Sequence, residues 1–261
     1  MRCGRIGRTN RPDVASPTLS LIGPGRAGRS VRDALIELGW RCEQVFGRGD
    51  DVGDAALGVD LCVIATPDAV ISDVASRIQP GNAVLMHLSG ATPLDALGRE
   101  HETAALHPLQ TLPNAEVGRR ALRTAYFAVA GHPIARDIAE QLSGKWFEIA
   151  DDDRALYHCT AAIAANHVTA LLGQVERLAA AIDVPVDAFW PLAAASLDNV
   201  AELGASAALT GPVARGDERT VSQHENALAE RLPDELDMYR AMVAAARRLV
   251  DQGHQDASRA D

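Results

Sequence analysis

Aromatic residues fill only 4% of the 261 positions, and cysteine occurs four times, at Cys3, Cys42, Cys62 and Cys159. Scarce aromatics disfavour a β-sandwich and suit Ala-, Leu- and Val-rich helices packed on a sheet. The cysteines have no paired spacing. That excludes a zinc site of the usual kind or a disulfide framework and fits the reduced thiols of a cytoplasmic protein. Positive charge is also short: 25 Lys and Arg face 35 Asp and Glu, a formal net charge of −10. Nucleic acid is thereby an unexpected partner, because it calls for a basic footprint. No apolar run reaches the length of a membrane span. The opening MRCGRIGRTNRPDVASP lacks the apolar stretch of a secretory signal and reads as a disordered tail over residues 1–17, as does the ending over 251–261.

What is present is a 47% hydrophobic chain, enough for one large core or two modest domains. TLSLIG reads as a strand, PGRAGRS as a glycine turn, and VRDALIELGW as a helix. Gly23, Gly25 and Gly28 stand in G-x-G-x-x-G spacing, with Pro24, Arg26 and Ala27 between them. In a dinucleotide-binding turn the first glycine permits the tight bend. The second lets the backbone approach a pyrophosphate, and the third lets helix and strand pack closely. An ordinary glycine-rich turn is the plainer reading of the same letters.

A site preferring NAD places a carboxylate about 20 residues past these glycines, at the end of the next strand. RCEQVFGRGDD offers Gly47 and Arg48 there, and a guanidinium pairs with a 2′-phosphate, so the expectation is NADP(H). Asp50 and Asp51 close behind weigh against it, and a loop arginine can simply be solvated.

DLCVIATP and NAVLMHLSG read as buried parallel strands. Their ends, Thr66-Pro67-Asp68 and Ser89-Gly90, should border a cofactor lying over the carboxyl edge of the sheet. Asp68 reads better as a helix N-cap than as a catalytic group. AALHPLQTL places His107 at a further strand end, and AYFAVAG, HPIARDIAEQLSG and WFEIA complete a strand–helix–strand close. The expected fold is an α/β, Rossmann-like, doubly wound parallel sheet over residues 18–150, followed by an all-α domain over 151–250.

In the helical half, a first helix is expected from about 152 to 182, then one kinked or broken at Pro191, and a last amphipathic helix over DELDMYRAMVAAARRLV. YHCTAAIAANHVTALLG raises a difficulty, because His158 and Asn166 are polar groups on an otherwise apolar helix. They share a slowly turning stripe with Ala162. One reading makes them functional in a cleft between domains, His158 as proton donor and Asn166 as an orienting hydrogen-bond donor. The other makes them a structural pair inside helix contacts. The Ala-rich runs LAAAI and LAAAS suit either dimerisation through the helical half or packing on the chain's own sheet domain.

Taken together, the glycine fingerprint, ATPD, HLSGA, HPLQT, YHCTAAIAANHVTALL and LTGPVARGD resemble an uncharacterised family of Rossmann-like NADP oxidoreductases with a C-terminal domain of unknown function. The wider group is that of 6-phosphogluconate-dehydrogenase-like enzymes, including ketopantoate reductase and pyrroline-5-carboxylate reductase. ANHVTALL is similar to a ketopantoate reductase helix reading INPLTAL. On that alignment Asn166 matches the asparagine, the family's catalytic lysine falls on His158, and an intervening asparagine falls on Ala162. Thr210 lies near a substrate-contacting serine. Arg215 could bind a substrate carboxylate or pair with Asp217. The resulting expectation is an NADP(H)-dependent oxidoreductase acting on a small carboxylic acid, a 2-oxo acid first and a cyclic imine second, with the Ala-rich helices pointing to a homodimer. A non-catalytic NADP-binding sensor is the reading from another class.

Overall fold

The computed structural model describes residues 16–260, without the side chains of residue 254 and residues 256–260. The tail expected over residues 1–17 lies outside the described residues up to residue 15. The chain forms two compact units, residues 1–165 and 166–261.

The first unit is built on a seven-stranded sheet. Its strands are β1 (Thr18–Ile22), β2 (Arg41–Phe46), β3 (Leu61–Ile64), β4 (Val84–His87), β5 (Thr103–Leu109), β6 (Tyr126–Gly131) and β7 (Trp146–Glu148), in the order β2-β1-β3-β4-β5-β6-β7. Strand alternation divides the apolar residues between two layers. Leu19, Leu21, Leu61, Val63 and Met86 join one core with Val31 and Leu35 of helix α1 (Arg26–Glu37). Helices α3 (Ala115–Ala121) and α4 (Ile134–Leu142) lie along the same stretch of chain as β5–β7, and α4 adds Ile138 and Ala139 to that core. Ile22, Cys62, Ile64 and Leu85 join the opposite core with Ile71 and Val74 of α2 (Ile71–Ser76). A sheet covered on both faces explains the near-continuous apolar strands, and the arrangement is Rossmann-like.

One departure from the expected parallel sheet is clear. β5 and β6 pair antiparallel, from Ala104 opposite Gly131 to Leu109 opposite Tyr126. β7 then pairs parallel to β6, so the last two strands oppose the first five. Residue pattern marks a strand as buried but carries no direction, and an antiparallel neighbour needs no crossover helix.

Unit 1 also includes α5 (Arg154–Ala162), which follows a 3₁₀ turn at Asp151–Asp153. The division therefore falls later than residue 150, because Arg154 and Tyr157 pack with the strand ends. Nor is the helix expected over 152–182 continuous. A π-helical turn at Ile163–His167 separates α5 from α6 (Val168–Ala181). Such a turn widens the helical repeat, so the four-residue stripe that would align His158 with Asn166 does not persist.

In the second unit, α7 (Trp190–Leu203) carries Pro191 in its first turn, so the proline starts the helix and introduces no kink. A short helix α8 (Ala205–Ala208) leads to α9 (Glu218–Arg231), and α10 (Leu236–Ala260) continues past residue 250, where a tail was expected. Gly253 inside it costs only about 1 kcal/mol relative to Ala, too little to end a long helix. Gln174 of α6 donates to the Glu235 carbonyl at 2.9 Å, and the Arg177 guanidinium pairs with the Glu235 carboxylate. No described helix is long and apolar enough to cross a membrane.

Gly118 of α3 faces the buried Ser30 of α1. A Cβ there would lie 2.1 Å from Ser30 Oγ and 2.9 Å from Ser30 Cβ. Gly118→Ala should therefore lower the unfolding free energy by about 1–3 kcal/mol in urea titrations. Adding Ser30→Gly should recover most of that loss. Simple additivity of the two changes would contradict the contact.

Candidate functional site

Two clusters occupy the carboxyl edge of the parallel strands. The first is the β1–α1 turn. Gly23 has φ +89°, a left-handed conformation suited to glycine, and a Cβ there would lie 2.8 Å from the Ala65 carbonyl carbon at the end of β3. A Cβ on Gly28 would lie 2.4 Å from Gly23 O, so that position is also closed to side chains. Gly25 differs from both. Its φ is −75°, and an added Cβ would meet nothing within 4 Å. Its small size serves the open space in front of the turn, where no side chain caps α1. The leading N–H groups of a helix left without a cap form a ready anion site.

That turn opens on a cavity of about 590 Å³ lined by Gly23, Pro24, Gly25, Arg48, Thr66 and Pro67. The Thr66 hydroxyl is buried with no hydrogen-bond partner among the described residues. Asp50 and Asp51, the carboxylates near Arg48, are engaged locally: Asp50 accepts from Gly47 N at 2.7 Å and Asp51 from Gly53 N at 3.0 Å. Glycine turn, Arg48 and Thr66 thus line one space, which suits a dinucleotide with a charged adenosine end. Arg26 and Ala27 belong to the first turn of α1 but are not among the residues lining that cavity.

The second cluster lies at the ends of β4 and β5. His87 is fully buried, and its Nδ1 accepts from Ser89 N at 3.2 Å. Ser89 Oγ in turn accepts from Ala91 N at 3.2 Å and Thr92 N at 3.0 Å, which shapes the HLSGA turn. His107 Nδ1 lies 2.6 Å from the Tyr157 hydroxyl of α5. The His107 ring rests against Gly90, where a Cβ would come within 2.9 Å of Cε1. Tyr157 meets the rings of His107 and Phe147 edge-on at 5.5 and 5.7 Å. His158, exposed, has its ring centre 6.3 Å from that of His107. Arg154 is 1% exposed; its Nε binds Asp151 at 2.6 Å, while its Nη2 has no partner among the described residues.

These surroundings fix protonation. Burial, reinforced by the Arg154 charge, lowers His87 to about 4. Burial and the neighbouring His158 lower His107 to about 4. Burial raises Tyr157 to about 12, with Arg154 opposing. At neutral pH the two imidazoles are uncharged and the phenol keeps its proton.

The structure brings Gly90, His107 and His158, singled out separately in the sequence, into one neighbourhood, together with Tyr157, His87 and Arg154, which the sequence reading passed over. The partner of Tyr157 is fifty residues away in the chain. Asp151 and Arg154, three apart on one helical turn, were the available signal. Asp68 opens a 3₁₀ turn, and no side-chain cap forms there or at α2, so the N-cap reading fails. Its charge instead raises His87 and His107 against the larger lowering causes. Asn166, Thr210 and Arg215 belong to the second unit. The alternative Arg215–Asp217 staple does not form among the described ion pairs. Asp217 caps α9, accepting from Thr220 N at 3.0 Å and from Thr220 Oγ1 at 2.7 Å.

Residues 125–246 match the model of a domain of unknown function, DUF2520. No protein of curated function matches the chain in sequence. Among solved structures, the chain is similar to a Bacteroides fragilis protein provisionally named an NADP oxidoreductase. Identity is 19%, the match covers 89% of this chain and 98% of that one, and the TM-score is 0.76. It is similar to the Thermotoga maritima protein TM1727 at 23% identity, over 90% and 99% of the two chains, with a TM-score of 0.71. A reductive aminase of Aspergillus terreus, solved with NADPH and ethyl levulinate, shares 16% identity over 92% and 95% of the chains, with a TM-score of 0.66. At these identities the likeness is one of fold.

Protonation of the buried imidazoles is tied to stability. His87 has a pKa near its ordinary 6.5 when unfolded and about 4 when folded, so between these values the unfolded chain binds more protons. Stability is therefore held above about pH 6.5 and lost as pH falls toward 4, by about 2–3 kcal/mol for this group. Urea midpoints measured across that range should fall more steeply in wild type than in His87→Asn; equal slopes would contradict the assignment.

Proposed function

We propose that the protein is an NADP(H)-dependent oxidoreductase that reduces the C=O or C=N bond of a small molecule, a 2-oxo acid being the first candidate and a cyclic imine the second. The observation that carries this reading is the cavity shared by the glycine turn, Arg48 and Thr66. Support comes also from the fold shared with the NADPH-bound reductive aminase.

In this reading the turn at Gly23–Gly28 and the open N-terminus of α1 hold the pyrophosphate, with Thr66 and Pro67 alongside. Arg48 pairs with the 2′-phosphate, since Asp50 and Asp51 are turned to backbone N–H groups. The bound nicotinamide supplies hydride. The protein's share is position and a proton, drawn from the cluster of His107, Tyr157 and His158 beside Ser89 and Gly90. Asn166, Thr210 and Arg215 are proposed to contact the substrate, Arg215 as a fork for its carboxylate.

Association into a homodimer is proposed through the second unit. Helix α7 has no buried residue, and Leu192, Leu197, Val200 and Leu203 stand 44–66% exposed on it. Leu197→Glu should convert a dimer to a monomer in light scattering; a wild-type monomer would refute the proposal.

The cofactor assignment has a selective test. Gly25→Ala should fold with wild-type stability, because its Cβ meets nothing, yet lose NADPH affinity by about tenfold or more where a phosphate must approach. Arg48→Ala should weaken NADPH binding far more than NADH binding, both followed by nucleotide fluorescence. Unchanged NADPH affinity in Gly25→Ala, or equal losses for both nucleotides in Arg48→Ala, would overturn it. NADPH binding without turnover on any 2-oxo acid or imine would favour a sensor.

A further inference from the structure

The cluster at the strand ends holds three side chains able to give up a proton, and the geometry separates them. The chain has a single lysine, Lys145, and its Nζ lies over the Tyr126 ring at 5.4 Å from the centroid. A lysine donor of the kind that the ketopantoate-reductase resemblance implies is absent. His158 is exposed and, among the described residues, makes an edge contact with His107 and no side-chain hydrogen bond. Tyr157 is held on two sides, by the Phe147 and His107 rings, and its hydroxyl is fixed by the 2.6 Å contact with His107 Nδ1. His107 is itself seated by Gly90, whose missing side chain leaves the ring its place. A donor must be held close to one geometry to transfer a proton efficiently; His107 and the phenol are both so held, and His107 turns its Nδ1 to the phenol, which leaves the phenol as the held group to meet a substrate.

We propose that Tyr157 is the proton donor of this site and that His107 positions it and returns its proton. This rests on the reductase reading above. Once hydride from the reduced nicotinamide has reached the carbon of the C=O or C=N bond, the π electron pair moves onto the heteroatom. That heteroatom takes the Tyr157 Oη proton. The phenolate left behind takes the proton on His107 Nδ1, and the imidazole takes one from solvent at Nε2. Carbon gains two electrons, the nicotinamide loses them, and the net proton comes from water.

The surroundings agree with these roles. Tyr157, raised to about 12, carries its proton at any working pH, and His107, lowered to about 4, stays neutral with one ring proton to lend. Arg154, buried and bound to Asp151, lowers Tyr157 against the burial that raises it, and so favours the transient phenolate.

The experiment compares full-length wild type with Tyr157→Phe, His158→Ala and His107→Leu. NADPH consumption is measured with a panel of 2-oxo acids and imines, NADPH affinity by fluorescence, and tyrosine ionisation by alkaline absorbance with and without NADP⁺. The chain has three tyrosines, so Tyr157→Phe isolates the signal of Tyr157. Tyr157→Phe should lower kcat by about 100-fold or more with NADPH affinity kept, a larger loss than that of His158→Ala. Bound NADP⁺ should shift Tyr157 ionisation to lower pH, and His107→Leu should move that ionisation, which a mere packing role would leave alone. The proposal is overturned if His158→Ala gives the large loss and Tyr157→Phe does not, or if NADP⁺ leaves Tyr157 ionisation unmoved. Wild type that binds NADPH but reduces nothing refutes the reductase reading, and the absorbance shift then decides whether Tyr157 faces the nicotinamide. Wild type that binds no NADPH overturns both.

Discussion

The hydrogen bond between His107 and Tyr157 is the contact on which the rest of this site depends. It ties the end of β5 to α5 and so makes α5 part of the sheet unit. A half-buried imidazole and a half-buried phenol each gain from a partner, and here each satisfies the other where a side chain on Gly90 would have displaced the ring. The same burial holds His107 neutral and Tyr157 protonated. Packing and chemistry therefore have one cause.

Arg154 is the second element of that arrangement. A guanidinium buried this deeply is costly unless paired, and Asp151 supplies the pair while also accepting from Leu94 N at 3.3 Å. Its charge reaches His87, His107 and Tyr157 together, lowering all three. The strand-end cluster is thus a coupled group of neutral rings around one fixed cation, some way along the sheet edge from the glycine turn.

The sequence made part of this legible and hid the rest for physical reasons. Strands β1, β3 and β4 were readable because burial on both faces leaves long apolar runs, and Gly23 and Gly28 because close backbone approach admits nothing larger. Gly25 is the informative case: a Cβ there would meet nothing within 4 Å, so packing does not require it. The direction of β6 was hidden because apolar pattern is the same read either way. The π-helical turn at Ile163–His167 was hidden because a helical repeat looks continuous in letters. Pro191 was misread because a proline begins a helix as readily as it bends one. Tyr157 was passed over because a contact across fifty positions leaves no local trace, although its neighbour His158 drew attention to the right turn of helix.

The account places a nucleotide on the Gly23–Gly28 turn with its nicotinamide end beside β4 and β5. The most direct measurement is a crystal structure of the protein with NADPH. The account predicts the adenosine phosphate against Arg48 and the nicotinamide C4 close enough to Tyr157 Oη for a substrate bond to lie between them, on the order of 4–6 Å. A nicotinamide ring seated far from Tyr157 and His107, or a nucleotide that avoids the glycine turn, would contradict it.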